Sequence, residues 1–392
     1  MKKIKLLKLF PFIVSGLLGI IMSFIFGYLI SNLNIELNII EICILFIVTY
    51  YFAVAVHELT HFAVFKINKI DMRCLVIGPF IFLNTNNKWV FKFKFTKLFF
   101  AGGIAIPDID VIQDDKDLSR FREGFAKALI SAPIVSIILN LLFAILTFIS
   151  LDNVSNDVFN KYMLIILILL SLITLLITIS SMIKNEIAIG DYQAYFSTKK
   201  DIDFVVINLY QYIMFSTKYT TFESRKYLIA FLDEYFQVSY ENKVVNLYLI
   251  SCIDNMLHDY LTDKIDYLPK GAIQYINFSI ENYKLIYDNL KQKEVPSIYF
   301  HNLVLYLSLN KNTKYYASEF YSNIHRVINI SSPVIKYYNL RTTHLLGLEN
   351  NSDYICDKYN IKTSSLYELL SLFEWYYDNE YYLCNKLHNT SY

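Results

Sequence analysis

Apolar residues fall into two regimes along this chain. Up to about residue 190 they come in long runs without charge; beyond it they mix with Asn, Lys, Glu and many Tyr. Four of the early runs approach the roughly 20 apolar residues that a helix needs to cross a bilayer. They cover 10–30, 39–65, 128–149 and 162–183. The pattern predicts an α-helical polytopic membrane protein with four transmembrane helices. The loop 66–127 has a different texture. In "KWVFKFKF" (88–95), Phe91, Phe93 and Phe95 fall on one side and Lys92 and Lys94 on the other, a period-two strand signal. "CLVIGPFIFLN" (74–84) is its expected partner, giving a small β-hairpin within 70–97 at the cytoplasmic membrane surface.

From about residue 197 the pattern is helical and water-soluble. Helices are predicted over 202–216, 222–236, 240–257, 273–290, 298–309, 315–328, 334–348 and 366–377. Thr220 with Glu223, and Ser365 with Glu368, have capping-box spacing. Pro296 and Pro333 fall at helix starts or breaks. This C-terminal part is expected to be all-α, with a helical-repeat array as one arrangement open to it. The predicted domains are an N-terminal transmembrane helix with its outer loop (1–38), a membrane core (39–196) and a cytoplasmic helical domain (197–392).

Charge sets orientation rather than class. Lys and Arg total 36 against 35 for Asp and Glu, which gives no case for a nucleic-acid partner. Basic residues concentrate in cytoplasmic loops. Lys2, Lys3, Lys5 and Lys8 precede the first run, and the 66–127 loop carries eleven more, among them Arg73, Lys92 and Arg120. The 31–38 loop has none and the 150–161 loop only Lys161. A multi-pass protein of the cell membrane with both termini cytoplasmic follows. The first run reads as a retained signal-anchor, since it is long and no small-residue cleavage site follows it. Five scattered cysteines show no metal spacing and argue against a disulfide framework. Richness in Ile, Asn, Lys and Tyr points to an AT-rich bacterial genome.

The chemistry concentrates in "AVAVHELTHFAVF", 53–65. His57 and His61 are four apart, so on a helix they share a face one turn apart. The H-E-x-x-H pattern lets both imidazoles grip one Zn2+ ion while Glu58 serves as general base. Ionisable groups within a membrane helix are costly and mark function. Zinc of this type takes a third protein ligand and keeps one position open. That ligand belongs at the same depth, where Asp191, Glu186 and Glu123 are the candidates.

At these residues the chain resembles the site-2 protease family of intramembrane zinc metalloproteases. Three marks over about 39–196 carry the resemblance: "HELTH", "SAPIVSIILN" (131–140) and Gly190-Asp191 at the end of the last core helix. The resemblance implies one zinc per chain on His57, His61 and Asp191, with Glu58 as the catalytic base. It also implies a β-hairpin after the first core helix. Asn140 and Asn185 are candidate substrate-binding residues. The chain departs from the family pattern in Ala132 before the central proline, in Ser136 where an Asn is usual, and in the order Gly-Asp with no proline between Asn185 and Asp191. The implied substrate is a membrane-spanning or membrane-inserted peptide cut near the cytoplasmic face. An anchored anti-sigma factor, a leftover signal peptide or a small secreted-peptide precursor fits that description. The 197–392 domain would recruit substrate or a cytoplasmic protein partner. Two other classes compete: a catalytically inactive membrane accessory in peptide export or immunity, and a scaffold working through its helical domain.

Overall fold

The computed structural model describes residues 38–85, 88–94, 102–109, 111–153, 157–184, 189–216, 221–309, 313–329, 332–364 and 373–390. The expected first transmembrane helix, 10–30, lies outside these residues. So do Asn185, Glu186 and the capping-box residues Thr220 and Ser365.

Three described helices are long and apolar enough to cross a membrane: α1 (Ile39–Ile67), α2 (Asp115–Asn153) and α3 (Asp157–Ser181). α1 starts at a capping box, with the Asn38 side chain accepting from the Ile40 amide and Glu41 accepting from the Asn38 amide. Its burial runs opposite to that of a helix in water. Ile39, Ile44, Phe46, Ile47 and Phe52 are exposed, whereas Thr49, Ala53, His57, His61 and Phe65 are buried at intervals of four. An apolar exterior around a polar seam suits lipid on one side and protein on the other. α2 begins well before the expected Ala128. Asp114 accepts from the Asp117 amide at 2.8 Å, and the first turns bury Phe121 and Phe125 while Arg120 and Arg122 reach outward to carbonyls.

Between α1 and α2 lies an antiparallel four-stranded sheet in the order β3-β2-β1-β4: β1 Asp71–Ile77, β2 Phe80–Thr85, β3 Lys88–Phe93 and β4 Gly103–Asp108. This corrects the expected hairpin. "CLVIGPFIFLN" is two strands, because Gly78 adopts a left-handed φ of 56° and the chain reverses between the paired Ile77 and Phe80. A Cβ at Gly78 would also sit 2.1 Å from the Tyr51 ring. The expected alternating strand is β3, whose Phe91 stacks on Phe80 while Phe93 meets the same ring edge-on. β4 was not foreseen, since "GIAIPD" holds a proline and too little alternation.

The rest is helical: α4 Asp191–Lys200, α5 Ile202–Ile213, α6 Thr221–Glu241, α7 Leu247–Leu261, α8 Lys270–Glu281, α9 Tyr283–Asn289, α10 Glu294–Leu309, α11 Lys314–His325, α12 Pro333–Leu345, α13 Ser352–Ile355, α14 Lys358–Thr363 and α15 Glu374–Thr390. Three expectations move. The 240–257 helix begins at Leu247, because Lys243 takes a φ of 50° and ends α6 first. The 273–290 helix breaks at Asn282. The last helix is Glu374–Thr390 rather than 366–377, and 365–372 are outside the described residues. Buried apolar side chains form one continuous core from Phe65, Phe121 and Phe125 in the membrane half through Val206, Tyr210 and Met256 to Phe300 and Phe320. It packs the helical half against the C-terminal end of α1 and the N-terminal part of α2.

Candidate metal centre

His57, His61 and Asp191 meet on the buried seam of α1. The His57 and His61 rings lie 5.0 Å apart, as one helical turn dictates. Asp191 arrives from elsewhere. The chain leaves α3, turns back through a bridge between Lys184 and Ile189, and lays Gly190 flush on the end of that helix. A Cβ at Gly190 would stand 2.4 Å from the Ser180 carbonyl oxygen, so the close approach needs glycine. α4 then starts at Asp191, and its Oδ2 lies 2.9 Å from His57 Nε2 and 3.4 Å from His61 Nε2.

The protons on the two rings are fixed by α2. His61 Nδ1 lies 3.0 Å from the carbonyl oxygen of Ala128. A carbonyl only accepts, so Nδ1 carries the proton and donates it. Ser136 donates its hydroxyl to the Ala132 carbonyl at 2.9 Å, which leaves its oxygen to accept from His57 Nδ1 at 3.3 Å. In the neutral rings both Nε2 atoms are then lone pairs, and both face the Asp191 carboxylate. With both rings neutral, three acceptors converge, which is the donor set of a cation site. The three ligand atoms all lie within 4.8 Å of one another. Tetrahedral zinc with bonds near 2.0–2.2 Å sets its ligands roughly 3.3 Å apart, so the Nε2 to Oδ2 distances bracket that value. The residues fit a zinc ion.

Glu58 follows His57 and is buried beside the pair, 8% exposed. β4 closes over it. A Cβ at Gly103 would lie 2.5 Å from Glu58 Cγ and 2.7 Å from the Val76 carbonyl oxygen, so glycine again permits the contact.

The other sequence candidates fall elsewhere. Glu123 is exposed and pairs with Lys127 at 3.6 Å, away from the histidines. Asn140 accepts from the Ser171 hydroxyl at 3.0 Å, one turn beyond Ser136. Asn185 and Glu186 are outside the described residues. Two partners escaped sequence reasoning as parts of the site. Ser136 was legible only as a departure from a motif, and the Ala128 carbonyl has no sequence signature at all.

A profile of the family described as Peptidase family M50 matches residues 45–340. The match takes in the H-E-x-x-H segment and Asp191 and continues through the helical half as far as Leu340. No curated protein and no solved structure matches the chain.

Proposed function

The chain belongs to peptidase family M50, and on that footing we propose that it is an intramembrane zinc metalloprotease acting on membrane-inserted peptides. One observation carries the reading: His57 Nε2, His61 Nε2 and Asp191 Oδ2 converge while both Nδ1 protons are committed to α2. These three residues would hold the metal, with Ser136 and the Ala128 carbonyl fixing the rings. Zinc bound there supplies the Lewis acidity that activates water and polarises a peptide carbonyl. Glu58 takes the water's proton on its carboxylate and delivers it to the leaving amine nitrogen. β4, whose Gly103 packs on Glu58, is an edge strand of the described sheet. A substrate helix has its backbone satisfied internally and must unwind before attack. Pairing of the unwound segment with the β4 edge would hold it extended beside the base. Asn140 and Asn185 are proposed as further substrate contacts.

The proposed setting is the cell membrane, with both termini cytoplasmic and the scissile bond near the cytoplasmic face. The partner is a membrane-embedded peptide or single-span protein, recruited with help from 197–392. Glu58→Gln in the full chain, reconstituted in nanodiscs, separates a protease from an inactive accessory or anchor. Cleavage of a membrane-inserted peptide should fall about 10²–10⁴-fold with zinc retained. Cleavage at the wild-type rate would end the assignment of Glu58.

A further inference from the structure

A cavity of about 690 Å³ opens beside Asp191 and extends among the helices that follow it. Its volume is within the range of sites that bury a ligand. On the membrane side the lining includes Ile104, the neighbour of Gly103 in β4, and Phe125 and Leu129 of α2. An extended segment paired along β4 beside Glu58 would therefore continue into this space. The opposite wall comes from α5 and α7. Tyr248 stacks on Phe204 at 5.8 Å, and its hydroxyl oxygen accepts from the Asn208 amide. Aromatic faces with a few amides and hydroxyls suit a peptide backbone that has left its own helix.

The charge of this lining is unbalanced. Asp201 and Asp203 face the cavity, and Glu234 lies near enough to repel Asp203. Asp201 caps α5 through the Phe204 amide at 3.2 Å. Among the described residues none of the three acids has a basic partner. Lys184 is the one basic residue in the described lining, and it belongs to the loop before Asp191. Burial, then Asp201 and Glu234, raise the Asp203 carboxyl, as expected where like charges crowd without a cation.

Membrane-spanning segments carry Lys and Arg just past their cytoplasmic ends. We infer that this cavity receives the cytoplasmic flank of a membrane-inserted peptide and selects Lys or Arg there through Asp201 and Asp203. The inference rests on the protease reading and names the substrate class that reading leaves open: an apolar segment followed at once by basic residues.

Binding tests it without catalysis. The probes are two fluorescein-labelled peptides of about twenty apolar residues, one ending in Lys-Arg-Lys and the other in Glu-Asp-Glu. Each is titrated by anisotropy against full-length Glu58→Gln protein in phosphatidylcholine nanodiscs. The basic peptide should bind about fivefold tighter or more. Adding Asp201→Asn and Asp203→Asn, singly and together, should shrink and then erase the difference. The Asp201→Asn change removes charge but keeps the α5 cap, since an asparagine side chain caps a helix as well as aspartate does. Equal affinity for the two peptides overturns the inference, and so does a preference that survives the double variant. If the basic peptide binds selectively but zinc-loaded wild type leaves it uncut, the subsite stands and the protease reading falls.

Discussion

Two buried polar clusters in this molecule meet the same problem, charge without water, in opposite ways. In the helical half, Glu380 is fully buried and both its oxygens are met. Arg341 Nη1 donates at 2.6 Å, and His258 Nε2 lies 3.1 Å from the other oxygen. Arg341 Nη2 donates to Asn302, whose amide donates to Asp254. Among the described residues of this cluster only the Arg341 Nε is left without a partner. In the membrane half, His57, His61 and Asp191 converge, and with both rings neutral they offer three acceptors and no donor. The first cluster is closed and ties α7, α10, α12 and α15 into one body. The second is incomplete without a cation. A buried polar group alone does not mark a site; the direction of its protons does.

Removing a partner from the closed cluster should cost the most stability. Arg341→Met strands the Glu380 charge and should destabilise the helical half by about 3–5 kcal/mol. Urea unfolding of the full chain in detergent reads this out. The double variant Arg341→Met with Glu380→Leu should recover most of the loss, because an apolar replacement of a buried pair is often neutral. A double variant no better than the single would mean that the ionic contacts themselves hold the helices together.

Acid sharpens the contrast. Burial works to raise the Glu380 carboxyl, but the Arg341 charge outweighs it and holds the group down at about 2, against an ordinary 4.5. Its contribution to stability is fully present above pH 4.5 and is lost as pH falls toward 2. Asp254 has the opposite sign. Burial pushes it up to about 6 from an ordinary 3.8, so stability falls as pH rises through that window. Thermal unfolding across pH should therefore lose its acid-side drop in Glu380→Gln and its higher-pH decline in Asp254→Asn. Unchanged profiles would remove both groups from the account.

Much of this contrast could be read before the fold. Spacing alone puts His57 and His61 on one face, and a glutamate next to the first of two such histidines is a strong local pattern. Asp191 came from resemblance rather than from geometry, since 130 residues separate it from His61. The carbonyl of Ala128 was beyond reach because every residue offers one. The closed cluster was illegible for a related reason: Arg341 and Glu380 look like ordinary surface charges until α12 and α15 are packed together. β1 and β2 were merged because an apolar run hides a turn when one glycine makes it.

At the candidate metal centre the smallest effect should come from Ser136→Ala. Losing the acceptor for His57 Nδ1 should weaken zinc affinity about tenfold while leaving stoichiometry at saturation unchanged. Competition with a zinc-binding dye measures it. Affinity equal to wild type would show that Ser136 does not orient the ring.

The most direct measurement is metal content of the purified full chain by mass spectrometry, wild type beside Asp191→Ala and Glu58→Gln. About one zinc per chain is expected in wild type and in Glu58→Gln, and a large loss in Asp191→Ala. Zinc retained in full without Asp191, or missing from wild type supplied with the metal, would contradict a three-acceptor cation site.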